Sequence, residues 1–162
     1  MENADSLLVQ KIGQSLKEKG WMLSSAESCT GGLAAHVLTN VSGSSEWFVG
    51  GLVAYANRVK QELLGVDERI LKETGAVSRE TVEAMASGVA RRFNTQAGLA
   101  VSGIAGPSGG SPGKPVGTVW MAWSVDGEVS SRCHHFTGDR GAVKIASARA
   151  VLQGLDEILS RK

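Results

Sequence analysis

An excess of charge of either sign is missing from this chain. Its 17 Lys and Arg residues almost balance 16 Asp and Glu, for a formal net charge of +1. There is no basic excess to draw a phosphate backbone nonspecifically, so nucleic acid is not an expected partner. Cysteine is scarce too: Cys29 and Cys133 are the only two. That excludes a disulfide framework and suits a reducing compartment. No uninterrupted apolar run approaches the ~20 residues a membrane helix requires. The opening "MENADSLLVQKIG" lacks the basic and apolar regions of a signal peptide. A cytoplasmic protein without membrane association is expected. The three histidines show no His-Glu-x-x-His pattern, and no paired cysteines stand at ligand spacing, so neither a metal nor another cofactor is expected. Proline is confined to one segment: all 3 prolines fall in "GPSGGSPGKPVG" beside five glycines, which reads as a loop.

What is present organises into alternating elements within one domain spanning residues 1–162. "DSLLVQKIGQSLKEKG" carries Leu8, Ile12 and Leu16 at four-residue steps, with Asp5 as cap and Gly20 as stop, and predicts a helix. "WMLSSA" predicts a strand, and "GGLAAHVLTNV" a helix with Leu33, Val37 and Val41 on one face. "VGGLVAYA" predicts a second strand, followed by a helix from Asn57 as cap to Gly65 as terminator. Ser78 caps the next helix, with Val82, Met85, Val89 and Phe93 at helical spacing. "AGLAVSGIAG" predicts a buried strand. "TVWMAWSV" and "EVSSRCHHF" flank Asp126-Gly127, the strongest short-range hairpin signal. A closing helix runs from Asp139 to Leu159. Helices alternating with strands, plus one antiparallel hairpin, imply an α/β fold: a three-layer α/β/α sandwich around a mixed sheet.

Glycine, 21 in all, is about twice the average usage and gathers in "CTGG", "VGG", "SGIAGPSGGSPG" and "TGDRG". Glycine admits a ligand close to the backbone, and free N–H groups at a helix start attract anions, so a phosphorylated small molecule is the expected ligand. In "ESCTGG", Cys29 is one candidate nucleophile, because a helix start lowers a thiol pKa, yet no histidine lies nearby in sequence as its base. Ser28 and Thr30 also suit helix capping. The preferred reading has Thr30, Gly31 and Gly32 turning N–H groups toward an anion while Ser28 faces the reacting centre. His36 lies within a helical run, and His134 and His135 point to opposite faces of a strand. The candidate base is therefore Lys60, in "AYANRVKQ", with Tyr55 relaying or orienting the proton. Ser111-Pro112-Gly113-Lys114 matches Ser-x-x-Lys, but Pro-Gly forbids the helix that spacing needs. Arg140, opening the last helix with Asp139 as cap or partner, suits gripping a phosphate or carboxylate.

Together "AESCTGG", "GSSEWFVGGLVAYANRVK", "GAVS", "VSGIAGPSGG", "KPVGTVW" and "GDR" closely resemble the C-terminal domain of the CinA (competence/damage-inducible) family, whose stand-alone members act as nicotinamide-nucleotide amidohydrolases. The resemblance runs from about Ala4 to the final helix. It implies metal-free hydrolysis of nicotinamide mononucleotide to nicotinate mononucleotide and ammonia, in pyridine-nucleotide recycling, by a homo-oligomer. It places Ser28, Ser45, Tyr55, Lys60, Ser102 and Arg140 in the active site, with Gly103 among the substrate contacts. Ser45 is the preferred nucleophile and Ser28 the second, because Ser45 and Lys60 flank one strand and are expected to converge on its side of the site. The family's Tyr-Ser-Asn appears here as Tyr55-Ala56-Asn57, so no hydroxyl stands at position 56. A binding module that holds the nucleotide without turnover, in competence or DNA-damage response, is the alternative.

Overall fold

The computed structural model describes residues 3–162. Its five strands are β1 (Leu23–Glu27), β2 (Phe48–Val53), β3 (Ala97–Gly103), β4 (Thr118–Val125) and β5 (Glu128–His135). They form one sheet in the order β2-β1-β3-β4-β5. β1 is parallel to both β2 and β3, while β3–β4 and β4–β5 are antiparallel, so the sheet is mixed. At the tip of the β4–β5 hairpin Asp126 and Gly127 both adopt positive φ, 52° and 80°, the backbone a two-residue turn between twisted strands demands.

Helices cover both faces. On one lie α1 (Asn3–Lys19), α2 (Leu33–Thr39) and α6 (Arg140–Leu159); on the other α3 (Asn57–Leu64), α4 (Glu68–Thr74) and α5 (Arg79–Phe93). Strand alternation sorts the residues between them. Leu99, Val101, Met121 and Trp123 face the first layer, whereas Ala100 and Ala122 face the second. The second face is built of small residues because α5 lies close to it. A Cβ on Gly98 would stand 2.5 Å from the Ala86 carbonyl oxygen. On the first face the bulk is Trp123, whose indole N–H donates to the Val151 carbonyl at 2.8 Å across Gly154. No helix among the described residues is long and apolar enough to cross a membrane.

Several boundaries differ from the sequence expectation. The first helix begins at Asn3, so Asp5 lies in its first turn rather than at its cap, and pairs with Arg149 of α6. Asn57 is the first residue of α3, and the cap position falls to Ala56. Helix α4 was not expected: with seven residues it is too short for periodicity to register, although Asp67 caps it by accepting from the Arg69 N–H. Ser78 and Asp139 cap α5 and α6 as expected, accepting from Thr81 and Ala142.

Candidate active site

The first residue beyond β1 is Ser28. Its N–H donates to the Val101 carbonyl of β3 at 2.9 Å, which extends the sheet register one step past the strand and holds the serine at the carboxyl end of the sheet. In open α/β sheets this is the edge where ligands collect. Lys60 reaches the same point from α3. It is turned inward with Leu64 on the same helix face, and only 1% of its surface is exposed. Its Nζ donates to Ser28 Oγ at 3.1 Å and to the Tyr55 carbonyl at 2.9 Å. Among the described residues Lys60 has no ion-pair partner. Burial in these surroundings penalises the charged ammonium and lowers its pKa below the usual lysine value. An under-compensated amine on a serine hydroxyl has the chemistry to serve as a base beside a nucleophile.

Ser45 is elsewhere. It lies in the short 3-10 turn Ser44–Glu46 that leads into the amino end of β2, where the Leu23 N–H meets the Trp47 carbonyl. Lys60 follows the carboxyl end of β2, and six strand residues at ~3.3 Å each separate the two ends. Flanking a strand in sequence placed them at its opposite ends in space. The expected convergence of Ser45 and Lys60 is therefore not found, and Ser28 is the serine that the lysine touches.

The start of α2 also departs from expectation. Its donors are already taken by the buried carboxylate of Glu27, the last residue of β1. Glu27 accepts from the Thr30 hydroxyl, from the N–H groups of Gly32 and Ala34 at 3.2 and 3.0 Å through Oε2, and from Ala35 at 2.8 Å through Oε1. The Gly31 N–H donates to the Ser28 carbonyl. Thr30, through its hydroxyl, and Gly32, through its N–H, thus serve an anion, but it is the protein's own, and the Gly31 N–H serves none. The left-handed backbone at Gly31 and Gly32, φ 62° and 100°, folds the chain around that carboxylate. Sequence reasoning passed over Glu27. The available signal was an acidic residue closing a strand just before a glycine-rich helix start, where the helix dipole favours a negative charge.

A pocket of about 310 Å³ opens beside Ser28, lined by Cys29, Tyr55, Arg140, Gly103, Ile104 and Ala105 among others. Its size falls within the range of small-molecule sites. Tyr55 is 62% exposed at the rim. Its hydroxyl meets Arg140 Nη2 at 3.3 Å, while Nη1 donates to the Gly106 carbonyl at 2.8 Å. Gly103 lines the pocket, and Ser102 does not: it is buried in β3 opposite Trp120. Cys29 is buried and its thiol is pushed up to about 11, chiefly by desolvation, which keeps it protonated and a poor nucleophile. Lys114 is drawn away to the Thr74 carbonyl at the end of α4.

The family model for the CinA C-terminal domain matches residues 5–159. The nicotinamide-nucleotide amidohydrolase PncC of Enterobacter agglomerans is 50% identical over 144 residues, covering 88% of each chain. The Pseudomonas putida protein of the same name is 47% identical over 148 residues, 91% of this chain and 92% of that one. A CinA-superfamily protein from Klebsiella pneumoniae, known by crystal structure, superimposes with a TM-score of 0.93 at 34% identity, covering 98% of this chain and 99% of its own.

Proposed function

The chain belongs to the CinA C-terminal domain family, and from that membership and the Ser28–Lys60 contact we propose that it is an amidohydrolase that converts nicotinamide mononucleotide to nicotinate mononucleotide and ammonia. The relatives that bear that activity in their names match this chain along most of both lengths. The observation that carries the chemistry is the buried Lys60 amine on the Ser28 hydroxyl.

In this reading Ser28 Oγ attacks the carboxamide carbon and its proton passes to neutral Lys60. The N–H groups of Cys29 and Ala105, which no backbone carbonyl takes among the described residues, stabilise the oxyanion. Lys60 then returns the proton to the departing nitrogen, and ammonia leaves. Water attacks the resulting acyl-serine ester and gives up a proton to Lys60, which returns it to Ser28 as the carboxylate departs. In this reading Ser28, not Ser45, is the nucleophile, a choice supported by its contact with Lys60. Cavity lining and rim give Tyr55 and Arg140 the task of holding substrate.

The test is ammonia release over a panel of nicotinamide mononucleotide, its riboside and free nicotinamide, with and without EDTA. We expect turnover of the mononucleotide, little of the smaller amides because they lack the remote binding group that positions the amide, and no loss in chelator. Binding of the mononucleotide without release of ammonia would favour the accessory-protein reading. Loss of turnover in EDTA, restored by zinc or magnesium, would overturn the metal-free mechanism.

A further inference from the structure

With the α2 amides spent on Glu27, the pocket has to find its anion-binding charge elsewhere. The first two turns of α6 supply it. Arg140 and Lys144 are four residues apart on this helix and so rise from the same face. Arg140 lines the pocket. Among the described residues only two of its five N–H groups are committed, one to Gly106 and one to Tyr55, which leaves three to bind. Lys144 is half-buried, and among the described residues it has no carboxylate partner. Its Nζ stands 3.6 Å from the place a Cβ on Gly31 would occupy. The bare, left-handed Gly31 thus leaves open the ground between the ammonium and the loop that carries Ser28 and Cys29. The charge of Lys144 is also felt at the Cys29 thiol, a lining group of the same pocket. Lys60, the other cation nearby, is buried behind Ser28 and occupied with the reaction.

We propose that Arg140 and Lys144 form a two-cation clamp for the 5′-phosphate of the substrate, with Lys144 a specificity-determining residue that selects a phosphorylated ribosyl amide over its riboside. The proposal takes its substrate class from the amidase reading above. A phosphate monoester carries close to two negative charges at neutral pH, so two cations one helical turn apart match it in charge. The planar Arg140 fork fixes its orientation, and Lys144 acts as a point charge.

The experiment compares wild type, Lys144→Met and Lys144→Arg on nicotinamide mononucleotide and on the riboside, and titrates each with ribose 5-phosphate and with ribose. Methionine keeps the aliphatic stem, so folding is little disturbed. We expect Lys144→Met to raise KM for the mononucleotide about tenfold or more, as removal of a charged hydrogen bond does, with kcat changed far less. The preference for mononucleotide over riboside should collapse by the same factor, and arginine should restore most of it. Wild type should bind ribose 5-phosphate and not ribose, and Lys144→Met should lose that binding. Unchanged selectivity, an equal loss on both substrates, or a fall in kcat at constant KM overturns the clamp. If wild type releases ammonia from neither substrate, the amidase reading fails by itself. The sugar phosphate then decides the clamp alone: binding lost in Lys144→Met sustains it, and binding absent from wild type or untouched by the variant refutes it.

Discussion

Lys60 carries opposing demands on chemistry and stability. A base must be neutral to accept a proton, and burial lowers its pKa toward the working range. The neutral fraction grows with pH, so kcat/KM should climb as pH rises through that lowered value. Lys60→Arg retains the charge but cannot release a proton, and should cost roughly a hundredfold or more in kcat. Near-normal turnover in this variant would leave Tyr55 as the next candidate base. The same burial weakens the fold. Between the lowered native pKa and the unfolded value of ~10.4, the unfolded chain binds more protons, so this group makes stability rise with pH. Below that window its whole penalty is present. Lys60→Met should therefore be inactive yet melt roughly 2–4 °C higher at neutral pH, the shift about 1 kcal/mol produces in a chain of this size. The gain should shrink toward alkaline pH. A lower melting temperature at neutral pH would mean that the amine is stabilised by its two acceptors more than it is penalised by burial.

Among the elements, α3 carries Lys60 and α2 follows the loop that carries Ser28, and each of these helices begins in an unusual way. Ala56 occupies the cap of α3 in an extended conformation, φ −77° and ψ 148°, with no side-chain hydrogen bond to the helix. The hydroxyl that the family pattern places at this position is thus at a helix cap, outside the pocket lining. Its absence costs the helix a side-chain cap and takes no group from the pocket lining. Ala56→Ser should stabilise the protein by about 0.5–2 kcal/mol in urea unfolding, with kcat unchanged. A large gain in kcat from this variant would instead make position 56 part of the chemistry. Helix α2 solves the same problem with Glu27, which satisfies its first N–H groups from inside the sheet and in doing so pins the residue next to it, Ser28.

Across the whole molecule, the two ends of the chain close the layer beneath the pocket. Asp5 of α1 receives both Nε and Nη2 of Arg149 of α6, at 2.8 and 3.0 Å, and is 5% exposed. This paired contact ties residues 144 positions apart, and α6 is the helix that presents Arg140 to the pocket. Asp5→Ala removes the carboxylate that accepts from both Nε and Nη2 of Arg149 and should destabilise the fold by about 1–3 kcal/mol, read as a lower urea midpoint with an unchanged slope. A midpoint equal to wild type would show the pair to be dispensable.

The layers and most of the elements were legible in the order of residues alone. Local signals suffice where the physics is local: Ser78 and Asp139 cap their helices, Asp126-Gly127 turns the hairpin, and strand runs alternate between a bulky and a small-residue face. Motifs also singled out Ser28, Tyr55, Lys60 and Arg140, which the structure gathers around one pocket and its floor. Tertiary structure alone decided which partner each group meets. An extended strand puts its two ends at opposite ends of the sheet, so Ser45 and Lys60, which flank β2, part although the chain between them is short. The glycine-rich helix start was legible as an anion site, but its anion proved to be Glu27, because a strand that ends one residue before the loop delivers its own carboxylate there. Which donors a buried charge reaches depends on where strands end in space, and adjacency in sequence does not encode that.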